Sequence, residues 1–416
     1  MLPMVVTPIS VMLILAMAAA IAAGLVSNLA VPLVARVAMA VHALDYPGGR
    51  KHQLEATPRL GGIAIVGGVA FAAAGVGLAN WIPLSSAIHR SELIALAMSA
   101  ALVFFVGVVD DVIGVSVWQK LAVEIFAGLL LVHVGWTFHA LSIPGQPSIH
   151  LGWLGPVLTV FWIVGVTNAV NLLDGLDGLA AGVVAIIAAS LLAYALMLDN
   201  VGTVILMAAV TGACIGFLRH NWAPAKIFMG DSGSLTLGFL LAAMSVHSSI
   251  KAPAAIAILV PLLALGVPVI DTLLVMGFRF VSRPHGAFAE RLLAMFSADR
   301  NHVHHLLLRR RGRGRVVAWI YGTVLTFCVL AVVVAVTRNP TLGAVVLLTQ
   351  GAVMVALRRS GVRERLAEAS AEQRQALRSD LGINGGNGDG NGLDATGSHA
   401  APVIAFPDPQ RRQERG

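Results

Sequence analysis

Long apolar runs constrain this sequence more than any motif does. About eleven of them have close to the roughly 17–25 residues that a helix needs to cross a bilayer. They fall at 10–33, 60–82, 92–109, 120–137, 153–170, 179–198, 202–218, 234–250, 255–279, 315–337 and 341–357. In lipid the backbone must satisfy its own polar groups, so these segments are expected to be helices. Composition agrees: 57% of residues are apolar and only 12% charged, against about 25% charged in a soluble domain. Mean hydropathy is +0.83. The expected fold is an all-α polytopic membrane protein, with 1–358 as the membrane domain and 359–416 as a polar cytoplasmic tail. The first run has no basic leader and is too long for a signal peptide, so it reads as a retained span. Cys214 and Cys328 fall inside spans, where they read as small buried hydrophobes rather than a disulfide or metal site.

Basic residues set the expected orientation. If the runs alternate across the membrane, all of the 28 Lys and Arg residues except Arg90, Lys251 and Arg338 lie on one side. Positive charge in short loops marks the cytoplasm. The N-terminus is therefore expected outside and the C-terminus inside, in a multi-pass protein of the cytoplasmic (inner) membrane. The net charge of +7 suits anionic lipid headgroups and calls for no nucleic acid. On the outer side, FHALSIPGQPSIHLGW (138–153) places a Pro-Gly turn between short β-branched runs, the pattern of a small hairpin. In the tail, 362–381 can form a surface helix. GINGGNGDGNG cannot pack, and residues after about 382 are expected to be disordered.

The inner loops, at 36–62, 107–120, 168–178, 219–234 and 280–314, share one property. Each carries an unusual polar cluster: RKHQLEATPRLGG, DDVIGVSVWQK, NAVNLLDGLDG, RHNWAPAKIFMGDSGS and FSADRNHVHHLLLRRR. The outer loops carry none. Such one-sidedness predicts a single inner-face site assembled from loops far apart in sequence.

Each cluster has its own chemistry. Asp110 and Asp111 end the third run, where the helix dipole disfavours a carboxylate by a few tenths to about 1 kcal/mol. A pair held there suits a cation or proton transfer better than an ordinary solvated loop does. In NAVNLLDGLDG the polar residues step by three, about 300° on a helix, so Asn168 and Asn171 share a face but Asp177 does not. Gly175 and Gly178 permit a break: span five is expected to end near Leu172, with Asp174 in the turn and Asp177 capping span six. In FMGDSGS, Asp231 stands among small residues just before a helix, which suits a phosphate with Mg²⁺ bridging it; plain N-capping is the competing reading. His302, His304 and His305 lie beside Arg300. No fourth ligand accompanies them, so anion recognition fits better than zinc.

Carboxylates and carboxamides suit a hard cation, and Arg, Lys and His suit phosphate. The matching chemistry is phosphoryl transfer at a membrane surface. Two rivals stand beside it. An intramembrane prenyltransferase would also use Asp-rich motifs, but in two related halves, and no internal repeat is present. A proton-coupled transporter would place polar residues at midspan in broken helices.

Taken together, TPRLGG, VDDxxG with Lys120, NxxNxxDGxDG, the N-x8-GDSGS spacing and DRNHxHH resemble the polyprenyl-phosphate N-acetylhexosamine-1-phosphate transferases, from about Asp45 to Leu308. The resemblance implies transfer of GlcNAc-1-phosphate from a UDP-sugar to polyprenyl (undecaprenyl or decaprenyl) phosphate, with Mg²⁺, or Mn²⁺ in its place, as cofactor. It implies catalytic roles for Asp110, Asp111, Asp174 and Asp177, and metal binding by Asp231 and Asn171. Substrate binding would fall to Lys120, Asn168, Asn221, Arg300, His302, His304 and His305. Leu54 and DRNHVHH resemble the GlcNAc-1-phosphate branch, which starts polymers such as O-antigen, rather than the phospho-MurNAc-pentapeptide branch of peptidoglycan synthesis, the alternative. UDP-GlcNAc, the lipid phosphate and the bilayer are the implied partners; monomer and homodimer both fit.

Overall fold

The computed structural model describes residues 8–46, 56–78, 89–141, 148–281, 303–308 and 312–380. Each expected span coincides with a helix or, once, with a broken set of helices. In chain order these are α1 (Ile9–Ala40), α2 (Gly61–Leu78), α3 (Arg90–Ile113), α4 (Val117–His133), α5 (Leu154–Leu173), α6 (Leu179–Met197) and α7 (Val201–Asn221). Then follow α8 (Gly230–Lys251), the short α9 (Ala254–Ala257) and α10 (Leu259–Ala264), α11 (Gly266–Val281), α12 (Val303–Leu307), α13 (Arg313–Thr337) and α14 (Pro340–Asp380). Among the described residues, 8 helices are long and apolar enough to cross a membrane, or up to 9 with the bent pair. The two remaining expected spans are shorter helices: α2, apolar over Gly61–Val76, and the 17-residue α4. The protein is a multi-pass, all-α membrane protein.

The helix α8 is the axis of the bundle. Its spanning window is 94% buried, against 22% for α3 and for the spanning part of α14. That explains why its hydropathy, 1.3, is the lowest of the spans: protein rather than lipid surrounds it, so hydroxyls are tolerated when they are bonded. Thr236 Oγ1 donates to Ser232 O at 2.7 Å, and Ser249 Oγ reaches Ser245 O and Ala257 O at 2.8 and 2.6 Å. Elsewhere α1 and α7 pack close against each other. A Cβ on Gly212 would sit 1.9 Å from Ala20 O, and one on Gly216 2.1 Å from Gly24 O. Only the small-xxx-small spacing of Gly212 and Gly216 lets the two backbones meet.

The expected span 255–279 is bent by 73° between Ala254–Ala264 and Gly266–Val281. A break in lipid frees carbonyls that need donors. Gln350 Nε2 donates to Leu263 O at 3.1 Å, and Cys328 Sγ approaches Ala264 O at 3.7 Å. Both cysteines are buried and free. The hairpin expected near 138–153 is present as β3 (Ala140–Leu141) paired antiparallel with β4 (Ile149–His150). A second short pair, β1 (Leu44–Asp45) with β2 (Thr57–Pro58), precedes α2.

The chain divides into units Met1–Arg365 and Leu366–Gly416. Residues 362–380, expected as a surface helix, are helical as the last part of α14. The stretch after 382, expected to be disordered, lies outside the described residues.

Candidate active site

The third helix ends where the axial helix begins. Asp111, 5% exposed, accepts the Asp231 N–H at 2.8 Å on Oδ1 and the Ser232 N–H at 3.0 Å on Oδ2. The first N–H groups of a helix have no partner within it and carry the positive end of its dipole. Asp111 thus caps α8 from another helix, and Asp231 does not serve as its own cap. Gly230, at φ +72°, makes the turn: a Cβ there would lie 2.2 Å from Arg59 O and 2.4 Å from Asp111 Oδ2.

Freed from capping, Asp231 turns to Lys120 in the first turn of α4. The ammonium lies 2.8 Å from Asp231 Oδ2 and 3.2 Å from Asp110 Oδ1. Asp110 Oδ1 also accepts the Val115 N–H at 2.8 Å, closing the turn between α3 and α4. One oxygen from each of Asp110, Asp111 and Asp231 lies within 4.8 Å of the others. Three carboxylates against one ammonium leave excess negative charge, and an all-oxygen donor set fits a hard divalent cation.

The fifth helix supplies the amides. Asn171 Nδ2 donates to Ser234 Oγ at 2.9 Å. Asn168 Nδ2 donates to Glu124 Oε2 and, at 2.9 Å, to Val164 O. Asp174 ends α5, its N–H bonded to Asn171 O at 3.1 Å, and stands in the turn as expected. Part of its surface is open, yet protein surrounds it closely. Burial raises its pKa to about 7; the Asp231 and Asp111 carboxylates add to this, while Arg59 and a backbone bond to Gly230 oppose it.

The TPRLGG segment is a fastening. The Phe228 N–H donates to Pro58 O at 2.8 Å, and the Gly61 and Gly62 N–H groups donate to Phe228 O and Met229 O at 2.9 and 2.7 Å. These bonds pin the entry of α8 to the start of α2.

Asp177 departs from expectation. The cap position of α6 is Gly178 at φ +76°, with no side-chain cap. Turned aside by that left-handed step, Asp177 Oδ2 accepts the Ala225 N–H at 3.2 Å and lies 3.9 Å from Arg313 Nη1. Asn221, 3% exposed, spends both ends of its amide on backbone: Oδ1 accepts the Gly178 N–H at 3.0 Å and Nδ2 donates to Ile227 O at 2.8 Å. Both residues fasten the 222–227 loop. The structure therefore gathers Asp110, Asp111, Lys120, Asn168, Asn171, Asp174 and Asp231, and sets Asp177 and Asn221 to one side. Arg300 and His302 lie outside the described residues. His304 and His305 fall on α12, whose Val303 N–H donates to Asp271 Oδ1 at 3.1 Å.

Two buried carboxylates escaped the motif reading, Glu124 in α4 and Asp271 in α11. The available signal was simple: each is a lone acid inside an apolar run, costly there without a purpose.

These features define a polytopic membrane protein with a hydrophilic, cation-ready site at its helix ends. Residues 93–249 match the family model "Glycosyl transferase family 4". The chain is 35% identical over 279 residues to the "Probable undecaprenyl-phosphate N-acetylglucosaminyl 1-phosphate transferase" of Bacillus subtilis, covering 67% of this chain and 73% of the relative. It is 33% identical over 370 residues to the decaprenyl-phosphate N-acetylglucosaminephosphotransferase of Mycobacterium leprae, covering 81% and 89%. A phospho-N-acetylmuramoyl-pentapeptide-transferase of Synechococcus is 35% identical over 319 residues, 73% of this chain and 86% of that one. The chain belongs to glycosyl transferase family 4, among the polyprenyl-phosphate N-acetylhexosamine-1-phosphate transferases.

Proposed function

We propose that the protein transfers N-acetylglucosamine 1-phosphate from UDP-N-acetylglucosamine to polyprenyl phosphate. The products are UMP and polyprenyl-diphospho-N-acetylglucosamine, the first lipid-linked unit of an envelope polysaccharide. The observation that carries the reading is the convergence of Asp110, Asp111 and Asp231, from two helices, around the Lys120 ammonium. The relatives named above act in the same sense. The bias of Lys and Arg supports a cytoplasmic position for this end of the bundle, in keeping with an inner-membrane enzyme.

In the reaction an oxygen of the lipid phosphate attacks the sugar-bearing phosphorus of the donor. The bond from that phosphorus to the bridging oxygen breaks, and UMP leaves with the electron pair. A phosphomonoester has its second pKa at about 6, so the lipid phosphate is already a dianion near neutral pH. The residues need only position it. Lys120 supplies a cation for phosphate oxygens, and Asp110 holds that ammonium in place. Asp231, with Asn171 beside Ser234, would hold Mg²⁺, which would neutralise charge on the donor diphosphate. Because the lipid phosphate dianion is itself a nucleophile, the reaction needs no phospho-aspartate on Asp174, and direct displacement is favoured. The pocket lined by Leu173, Val267, Trp319 and Ile320, with Asp271 as its one carboxylate, adjoins the turn that bears Asp174 and is apolar enough to take a hydrocarbon chain.

The test uses purified protein in detergent with polyprenyl phosphate, Mg²⁺ and a panel of UDP-sugars, following UMP. UMP should appear with UDP-N-acetylglucosamine, require the lipid and stop on chelation of the metal. Turnover only with UDP-MurNAc-pentapeptide would move the protein to the peptidoglycan branch. UMP release from donor alone would restore the covalent route. Solute movement across vesicles without metal would support a transporter.

A further inference from the structure

Glu124 is an acid in a membrane helix, 0% exposed and one helical turn beyond Lys120. Its Oε2 accepts from Asn168 Nδ2, while its Oε1 has no hydrogen-bond partner among the described residues. The Asn168 nitrogen also donates to Val164 O at 2.9 Å. A carboxamide carries both donors on nitrogen and its acceptor capacity on oxygen. Here a carbonyl and a carboxylate, both acceptors, share one end of the amide, so that end must be the nitrogen. The opposite orientation would set oxygen against two oxygens. Both N–H bonds are spent, and half-buried Asn168 has only its Oδ1 to offer a ligand.

We infer that Glu124 is a positioning residue: it locks the Asn168 carboxamide so that an acceptor oxygen meets the bound sugar nucleotide. As an acceptor, that oxygen can take an O–H or N–H of the substrate but not a bare phosphate oxygen. Lys120 and Glu124, one turn apart on α4, divide the work. The first meets anionic groups directly, and the second acts through Asn168 on a neutral one. The inference rests on the transferase reading.

Three variants and one pair test it in the UMP assay. Glu124→Leu removes the lock, and kcat/KM for UDP-N-acetylglucosamine should fall by about tenfold or more, the scale of one mis-set buried hydrogen bond. Glu124→Gln still accepts from Asn168 through its oxygen and should stay within about threefold. Asn168→Asp sets a second carboxylate against Glu124 and should lose about tenfold or more. In that background Glu124→Gln donates to the introduced carboxylate and should recover at least about threefold, the non-additivity of a coupled pair. A role limited to tying α4 to α5 predicts lower melting temperatures in Glu124→Leu with kcat/KM unchanged, and that result overturns the inference. So does an Asn168→Asp/Glu124→Gln pair no better than Asn168→Asp alone, which remains readable even if Glu124→Leu fails to fold. Absence of UMP from the wild-type protein would overturn the transferase reading as well, which separates the two failures.

Discussion

At its N-terminal end α8 meets Asp110, Asp111 and Lys120; sixteen residues on, about 24 Å along the axis, it meets a different polar group. There His247, 4% exposed, has its Nδ1 3.2 Å from Asn200 Nδ2 and 3.1 Å from Thr203 Oγ1. Its ring stacks on Trp136 with centroids 4.5 Å apart. Both neighbours of Nδ1 can donate, so the ring accepts there from two uncharged side chains. At the other end Asp110 and Asp231 share one ammonium, the Asp111 carboxylate lies beside them, and the first two are partly open. A polar cluster that completes itself holds helices together. One left with surplus charge is waiting for something to bind.

That contrast can be broken or sharpened by measurement. The largest effect is expected for Asp231→Asn, which keeps shape but removes charge: lipid-dependent UMP release should fall more than about 100-fold, with melting nearly unchanged. Lys120→Met should cost about 10- to 100-fold, mostly in kcat, because the cation for phosphate is gone. Asp111→Ala should damage both properties, lowering turnover and removing about 2–3 kcal/mol of stability by orphaning two helix-start N–H groups. A thermal melt beside the assay reads both. His247→Ala should cost about 1–2 kcal/mol of stability while kcat stays within about twofold. A large loss of turnover at an unchanged melting temperature would make the far end functional and erase the contrast.

The smallest effect is a pH dependence. The Asp174 carboxyl has a folded-state value raised from 3.8 to about 7, by burial first and then by the Asp231 and Asp111 carboxylates. A raised value means that the carboxyl's contribution to stability is complete below its unfolded value and is lost as pH rises through about 7. Without divalent metal, Asp174→Asn should therefore melt about 2 °C higher than wild type at pH 8 and show no such gain at pH 4. Added Mg²⁺ should shrink the difference at pH 8, since a nearby cation favours the charged carboxylate.

The helices were legible because a bilayer demands length and apolarity, and the hairpin because Pro and Gly mark its turn. The break after Ala264 was not: its donors, Gln350 and Cys328, come from helices that follow it by tens of residues. At the site, the acids and amides stood out as polar residues beside apolar runs. Their division of labour did not. Nothing local says that Asp111 caps a helix that begins 119 residues later, at Gly230, or that Asn221 is consumed by Gly178 and Ile227. Asp177 looked like a helix cap until the left-handed Gly178 turned the chain away. Glu124 was visible as an isolated acid, but its meaning depends on Asn168 across a helix boundary.

The two hydrogen bonds that the first peptides of α8 donate to Asp111 bear on inhibitor design. A compound that draws this carboxylate away from those peptides must unfasten the start of the central helix. Asp231 and Asp110 share the Lys120 ammonium, which a cationic group can replace while the Val115 N–H stays on Asp110. Tight ligands should therefore grip those two acids with a cationic group and leave Asp111 alone.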